Sequence, residues 1–220
     1  MIKNDLFSEK MKRLGEVIEK IIACNKNNQY EASNEILNEA YKELLGIDMN
    51  LVNRLSYEDI VAFIGAYETS QSMKLIILGE LLNLDANVKD KMNQHNTYIN
   101  LCFKSLYAYL NSIMNDNTST EICDKKVAVL LDILDAYEID FKYKLQIIKY
   151  YELTGKFDLA EDLIYELLDS GEDKNEILDI GIGFYDSIKN KSKEELNNGN
   201  LPLSEVNEGL EMLLKVRNSQ

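Results

Sequence analysis

The 220-residue sequence has no tryptophan, one proline (Pro202), one histidine (His95) and three cysteines. Each scarcity removes a class of chemistry. A lone histidine cannot furnish the paired Glu-x-x-His ligands of a helical di-iron centre, and position 92, three before it, is methionine. Cys24, Cys102 and Cys123 stand far apart, form no Cys-x-x-Cys pair and are odd in number, so no clustered zinc ligand set is present. They fall near apolar helical stripes and read as buried free thiols, which suits a reducing cytoplasm. The ten glycines never assemble into a phosphate-binding loop, a G-x-G-x-x-G turn or a G-x-S-x-G elbow. Gly181-Ile182-Gly183 lacks both a preceding strand and a third glycine. The most apolar run, LIILGELLNL at 75–84, is interrupted by Glu80 and falls short of the roughly 20 residues that span a bilayer. Residues 1–13 are broken by Asp5, Glu9, Lys10 and Lys12, so no signal peptide is expected. Positive charge is also short: 24 Lys and Arg face 38 Asp and Glu, a net charge of −14. Such a chain repels phosphate backbones and anionic lipid, so neither nucleic acid nor membrane is an expected partner.

What remains is 45% hydrophobic and rich in Leu, Ile, Glu, Lys and Asn, a composition that favours an all-α protein. The clearest unit is 141–171. Leu145, Ile147, Ile148, Tyr150 and Tyr151 cover most sides of one helix, with Asp140 placed to cap it. Gly155 suits a left-handed helix end. Phe157, Ala160, Leu163, Ile164, Leu167 and Leu168 then repeat at helical spacing up to Gly171. This hairpin resembles a tetratricopeptide-type repeat. Tyr151 matches its first-helix aromatic, Gly155-Lys156-Phe157 its turn, and Ala160 and Leu167 two second-helix positions; Ile148 and Glu172 depart from its small residue and its terminal proline.

Earlier in the chain, Phe7, Met11, Leu14, Ile18 and Ile21 recur at intervals of four and three. Packing within the chain is the expected use of that stripe, and a homodimer seam is the alternative. Residues 30–45 form the partner helix, closed by Gly46. Its outer face carries Glu31, Glu35, Glu39 and Glu43 at four-residue spacing, an acidic ridge that reads as a solvated face or a docking edge. A short helical turn is expected at 48–55, then a helix capped by Ser56. Long helices follow at 69–85 and 87–114, the second being the longest, with a turn at 83–87. Thr118 and Glu121 have capping-box spacing. A further helix opens at 173–176 and contains Gly181 and Gly183, which read as points of close helix approach.

The fold expected is therefore an irregular array of helical hairpins at about 5–45, 69–114 and 141–171, with about 9–11 helices. The tetratricopeptide resemblance implies a right-handed α-α superhelix. A single domain is expected over 1–190, followed at 191–220 by a polar loop and a small terminal capping helix. The opening MIKNDLFSEKMKRLGEVI, followed by a Tyr-Glu-Ala helix and Leu-Leu-Gly, is similar to an uncharacterised family of bacterial, all-helical, tetratricopeptide-like proteins. That resemblance implies the fold and no activity.

No catalytic, cofactor or metal site is assigned. His95 and Cys102 are two turns apart on one helix, about 10 Å, which is too far for a nucleophilic dyad. Scattered carboxylates holding a divalent cation stay open as a third reading, because acidic residues are too common for one pair to stand out. The leading expectation is a cytoplasmic, non-enzymatic module that holds a protein or peptide. On the resemblance, its groove is lined by Lys142, Leu145, Lys149 and Glu152 near Tyr151, and the two lysines stand ready for a carboxylate. Residues 151–220 carry 16 Asp and Glu against 7 Lys and Arg, so that third of the chain reads as a solvated acidic surface or as a face for a basic partner. The alternative is a sensor or regulator that binds a small molecule or signalling peptide between helices.

Overall fold

Abundant helix formers, interrupted mainly by Gly and Asn, give twelve α-helices and no strand among the residues described by a computed structural model, which are 2–65, 71–170 and 173–219. The chain is all-α and built of helical hairpins. The count exceeds nine to eleven because Met49–Arg54, expected as a helical turn, and Lys193–Asn198, within the expected polar loop, are separate helices. Contacts divide the chain into two compact units, Met1–Glu138 and Ile139–Gln220. The sequence reading drew its boundary at 190; residues 191–219 instead fold with the helices from 141 onward.

The first unit holds α1 (Ile2–Lys26), α2 (Tyr30–Leu45), α3 (Met49–Arg54), α4 (Tyr57–Phe63), α5 (Gln71–Lys91), α6 (His95–Asn115), a 3-10 turn at Asn117–Ser119 and α7 (Thr120–Leu134). Leu14 and Ile21 of the stripe are buried, as is Val17 beside them, and α1 packs on α2. The side chain of Phe7 and residues 69 and 171, where a helix start and a helix end were expected, lie outside the described residues. Gly46 ends α2 at φ +71 and donates its N–H to the carbonyl of Lys42, as a left-handed cap should. Asp48 and Ser56 cap α3 and α4 by accepting from Asn50 and Asp59 N–H groups.

Helix α5 packs against α1, α2 and α6. Being surrounded, it buries Leu75, Ile76, Ile77, Leu78, Leu81 and Leu82 around its circumference. Gly79 lets α6 approach: a Cβ there would stand 2.7 Å from Tyr109 Cε1, and the Ser105 hydroxyl donates to the Gly79 carbonyl at 2.8 Å. The turn between α5 and α6 falls at Asn93 (φ +59), not at 83–87. Asn87 stays helical because its amide donates to the Asn83 carbonyl one turn back at 2.8 Å, while Ala86 and Val88 continue the buried face. This makes α1, at 25 residues, longer than α6 at 21. The capping box expected at Thr118 does not form; Asp116 accepts from the Thr118 N–H and hydroxyl instead.

Among the described residues three charged groups are buried in this unit: Asp85 and Lys89 on α5 and Lys104 on α6. Lys104 donates to the carbonyls of Val52 and Leu55 at 2.9 and 2.8 Å, satisfying groups that the end of α3 leaves without helical partners.

The second unit holds α8 (Phe141–Thr154), α9 (Phe157–Ser170), α10 (Lys174–Ile188), α11 (Lys193–Asn198) and α12 (Leu203–Asn218). Gly155 turns the α8–α9 hairpin at φ +73. Asp140 precedes α8 but its carboxylate does not bond the first turn. Asp173 does cap α10, and a full capping box forms at Ser192 and Glu195, at the start of α11. Phe157, Ala160, Ile164 and Leu167 from α9 meet Phe184 and Tyr185 from α10 and Leu213 from α12 in one core.

Candidate functional site

Helices α8 and α10 each present a stripe with the spacing i, i+3, i+4, i+7, which places four side chains on one helical face. On α8 these are Leu145, Ile148, Lys149 and Glu152; on α10 they are Ile180, Gly183, Phe184 and Ser187. Together they line a groove of about 270 Å³ within the second unit. Its floor is apolar, with Ile148 and Phe184 fully packed into the core beneath it. Its rim is polar on one side. The Lys149 ammonium lies 2.8 Å from Glu152 Oε1, and the Ser187 hydroxyl donates to the same oxygen at 3.0 Å.

Gly183 opens this groove. A Cβ built there meets nothing within 4 Å. Gly181, two residues earlier, does the opposite job: its Cβ would stand 2.6 Å from Leu213 Cδ1 and 3.0 Å from Ile164 Cγ2. Close helix approach therefore explains Gly181 and does not explain Gly183, which costs helix stability without a packing return. Gly183→Ala should raise unfolding stability by about 1 kcal/mol in urea titrations, the helix-propensity difference. Gly181→Ala should lower it.

Of the groove residues read from sequence, Leu145, Lys149 and Glu152 come together. Lys142 and Tyr151 do not line the groove: the Lys142 ammonium sits 4.8 Å from the centre of the Tyr143 ring, and Tyr151 packs on the core beside Tyr150. The α10 half was missed, although its spacing was present in the sequence and a glycine in mid-helix marked it. The acidic ridge is exposed throughout; Glu43 is held by both carboxylate oxygens to Arg13 Nε at 2.9 Å, and Lys42 pairs with Asp48 rather than with the ridge.

The model of a family of unknown function, DUF6483, matches residues 1–218. The chain is a DUF6483 protein. No curated protein and no solved structure matches it.

Elsewhere in this DUF6483 chain stand its one histidine and its three cysteines, of which Cys24 is only partly buried. His95 is exposed at the start of α6, with Nε2 3.1 Å from the Tyr137 hydroxyl. Cys102 and Cys123 are buried, and burial pushes their thiols up to about 11 and about 12, away from the nucleophilic thiolate. Among the described residues no group of three or more His, Cys, Asp and Glu could hold a metal ion, and no helix is long and apolar enough to cross a membrane.

Proposed function

We propose that the second unit is a docking module, without catalysis, that seats one apolar side chain from a basic segment of a partner protein in the α8–α10 groove. The observation that carries this reading is the opening at Gly183 over an apolar floor. A helix that forgoes a side chain where one would fit freely is shaped for something from outside. The charge of the unit selects the partner: residues 139–220 carry 17 Asp and Glu against 10 Lys and Arg, a net of −7. Glu152, already receiving Lys149 and Ser187, offers the rim a carboxylate that a partner lysine or arginine can share. The remainder of the reading is a tetratricopeptide-like helical scaffold in a bacterial cytoplasm, where Cys24, Cys102 and Cys123 stay as thiols.

The test uses the full chain and a displayed library of random 12-residue peptides. Enriched sequences should place Leu, Ile, Met or Phe beside Lys or Arg. In fluorescence anisotropy, Gly183→Met should weaken an enriched peptide by about tenfold or more, the effect of losing a buried anchor, with an unchanged circular dichroism spectrum. Enrichment without that pattern, or binding indifferent to Gly183→Met, would overturn the reading.

A further inference from the structure

The first unit carries a separate cavity of about 330 Å³ between α2, α3 and α5, lined among others by Asn34, Glu35, Asn38, Asn50, Asn53 and Lys89. That volume lies at the lower end of small-molecule sites. The lining is unusual in containing four asparagines and a lysine only 7% exposed. The Lys89 ammonium donates to Asn34 Oδ1 at 2.9 Å. Its nearest carboxylate, Asp85 Oδ1, is 3.6 Å away, beyond hydrogen-bond distance. An ammonium has three donors, and these contacts leave capacity for another acceptor. Buried charge points the same way: two lysines, Lys89 and Lys104, share one buried carboxylate. A buried charge without full compensation is costly, so an anion that reaches it is favoured.

The asparagines divide into two sets. Asn34 and Asn38 are engaged, Asn38 Oδ1 accepting from the Met49 N–H at 3.2 Å. The Asn50 amide is engaged too, with the carboxylate of Asp48, while the Asn53 amide makes no hydrogen bond to the described residues. Asn53 offers a donor and an acceptor side by side, the match for a hydroxyl group, which also does both. Glu35 stands on the rim without a cationic partner among the described residues. A single ammonium, with Asp85 behind it and Glu35 in front, suits one negative charge; a dianion would meet repulsion that nothing there offsets.

We propose that this cavity binds a small hydroxylated monocarboxylate, its carboxylate on Lys89 and a hydroxyl group on Asn53. The site lies wholly within the first unit and stands independently of the groove in the second.

The test is isothermal titration of the full chain with sodium D-glucuronate and sodium L-lactate, with D-glucose as the uncharged match for glucuronate. Glucuronate should bind with a dissociation constant of about 1 mM or tighter, and glucose about tenfold or more weakly. Lys89→Met should weaken glucuronate by about 10- to 100-fold, the loss of a charge-assisted hydrogen bond. Asn53→Leu changes an exposed residue, leaves the core intact and should weaken it too, which keeps the test decisive if Lys89→Met does not fold. Gly183→Met should leave glucuronate binding unchanged. Equal binding of glucose and glucuronate would overturn the anionic assignment. No binding of either carboxylate, or binding that survives both Lys89→Met and Asn53→Leu, would overturn the site.

Discussion

Gly199→Ala is expected to cost the second unit about 3 kcal/mol, at the upper end of overpacking penalties. The backbone conformation is not the reason, because Gly199 has φ −88. Space is. A Cβ would stand 2.3 Å from Phe157 Cδ2 and 2.5 Å from the carbonyl oxygen of Gly155. Phe157 is buried in the core and Gly155 is the turn of the α8–α9 hairpin, so neither can withdraw without moving a packed element. The same contact carries polar bonds. The Asp158 N–H, one of the donors that the start of α9 leaves open, is received by the Gly199 carbonyl at 3.1 Å, and the Asn200 amide donates to the Asp158 carboxylate at 3.0 Å. Alanine therefore disturbs close packing and a helix-terminus bond together. The measurement is the urea midpoint at constant m-value. A midpoint equal to that of the parent chain would show that the α11–α12 connection does not bear on the hairpin. Gly183→Ala, expected to move the midpoint in the opposite direction, serves as the control within the same unit.

These opposite expectations show where sequence reading stopped. Gly181, Gly183, Gly199 and Gly209 are alike as letters. What separates them is the neighbour each meets, and that neighbour comes from a different helix. Gly209, for instance, faces Tyr185, and a Cβ there would stand 2.2 Å from its hydroxyl. Local signals were legible because their physics is local. Apolar periodicity and Gly46 placed α2 at Tyr30–Leu45. Gly155 placed the α8–α9 turn, and Ser56 and Asp173 marked helix starts that the structure has. The α5–α6 turn was misplaced because asparagine supports two conformations. At 87 its amide reaches back to a helical carbonyl, and at 93 the residue adopts the left-handed conformation that ends the pairing. Of the candidate groove, Leu145, Lys149 and Glu152 were named through the tetratricopeptide resemblance, and they share one face of α8. Its α10 counterpart required knowing which two helices meet. Asp85, Lys89 and Lys104 were unremarkable among 62 charged residues until the fold buried them.

Burial of Asp85 leads to the other large expectation, a dependence of stability on pH. Both carboxylate oxygens are buried without a hydrogen bond, as is the hydroxyl of Tyr41. The charged groups coupled to the carboxyl are Lys89 on its own helix and Lys104 from α6, and the buried phenol of Tyr41 faces it from α2. Burial outweighs the attraction of the two lysines and raises the carboxyl from its ordinary 3.8 to about 6. The folded chain then holds the proton more tightly than the unfolded chain, so stability is greatest below the ordinary value. It is lost as pH rises through the folded one. The full loss is about 3 kcal/mol, of which about 2 kcal/mol falls between about pH 4.5 and about pH 8. Asp85→Asn keeps the shape and removes the titration. Its stability relative to the parent chain should therefore rise by about 2 kcal/mol between those two pH values, measured by urea unfolding at each. An equal difference at both would mean that Asp85 stays ionised at little cost in the folded chain. Protonation also releases Lys89 from the buried carboxylate beside it, so the conditions that stabilise the first unit are those in which its cavity offers an anion the least competition.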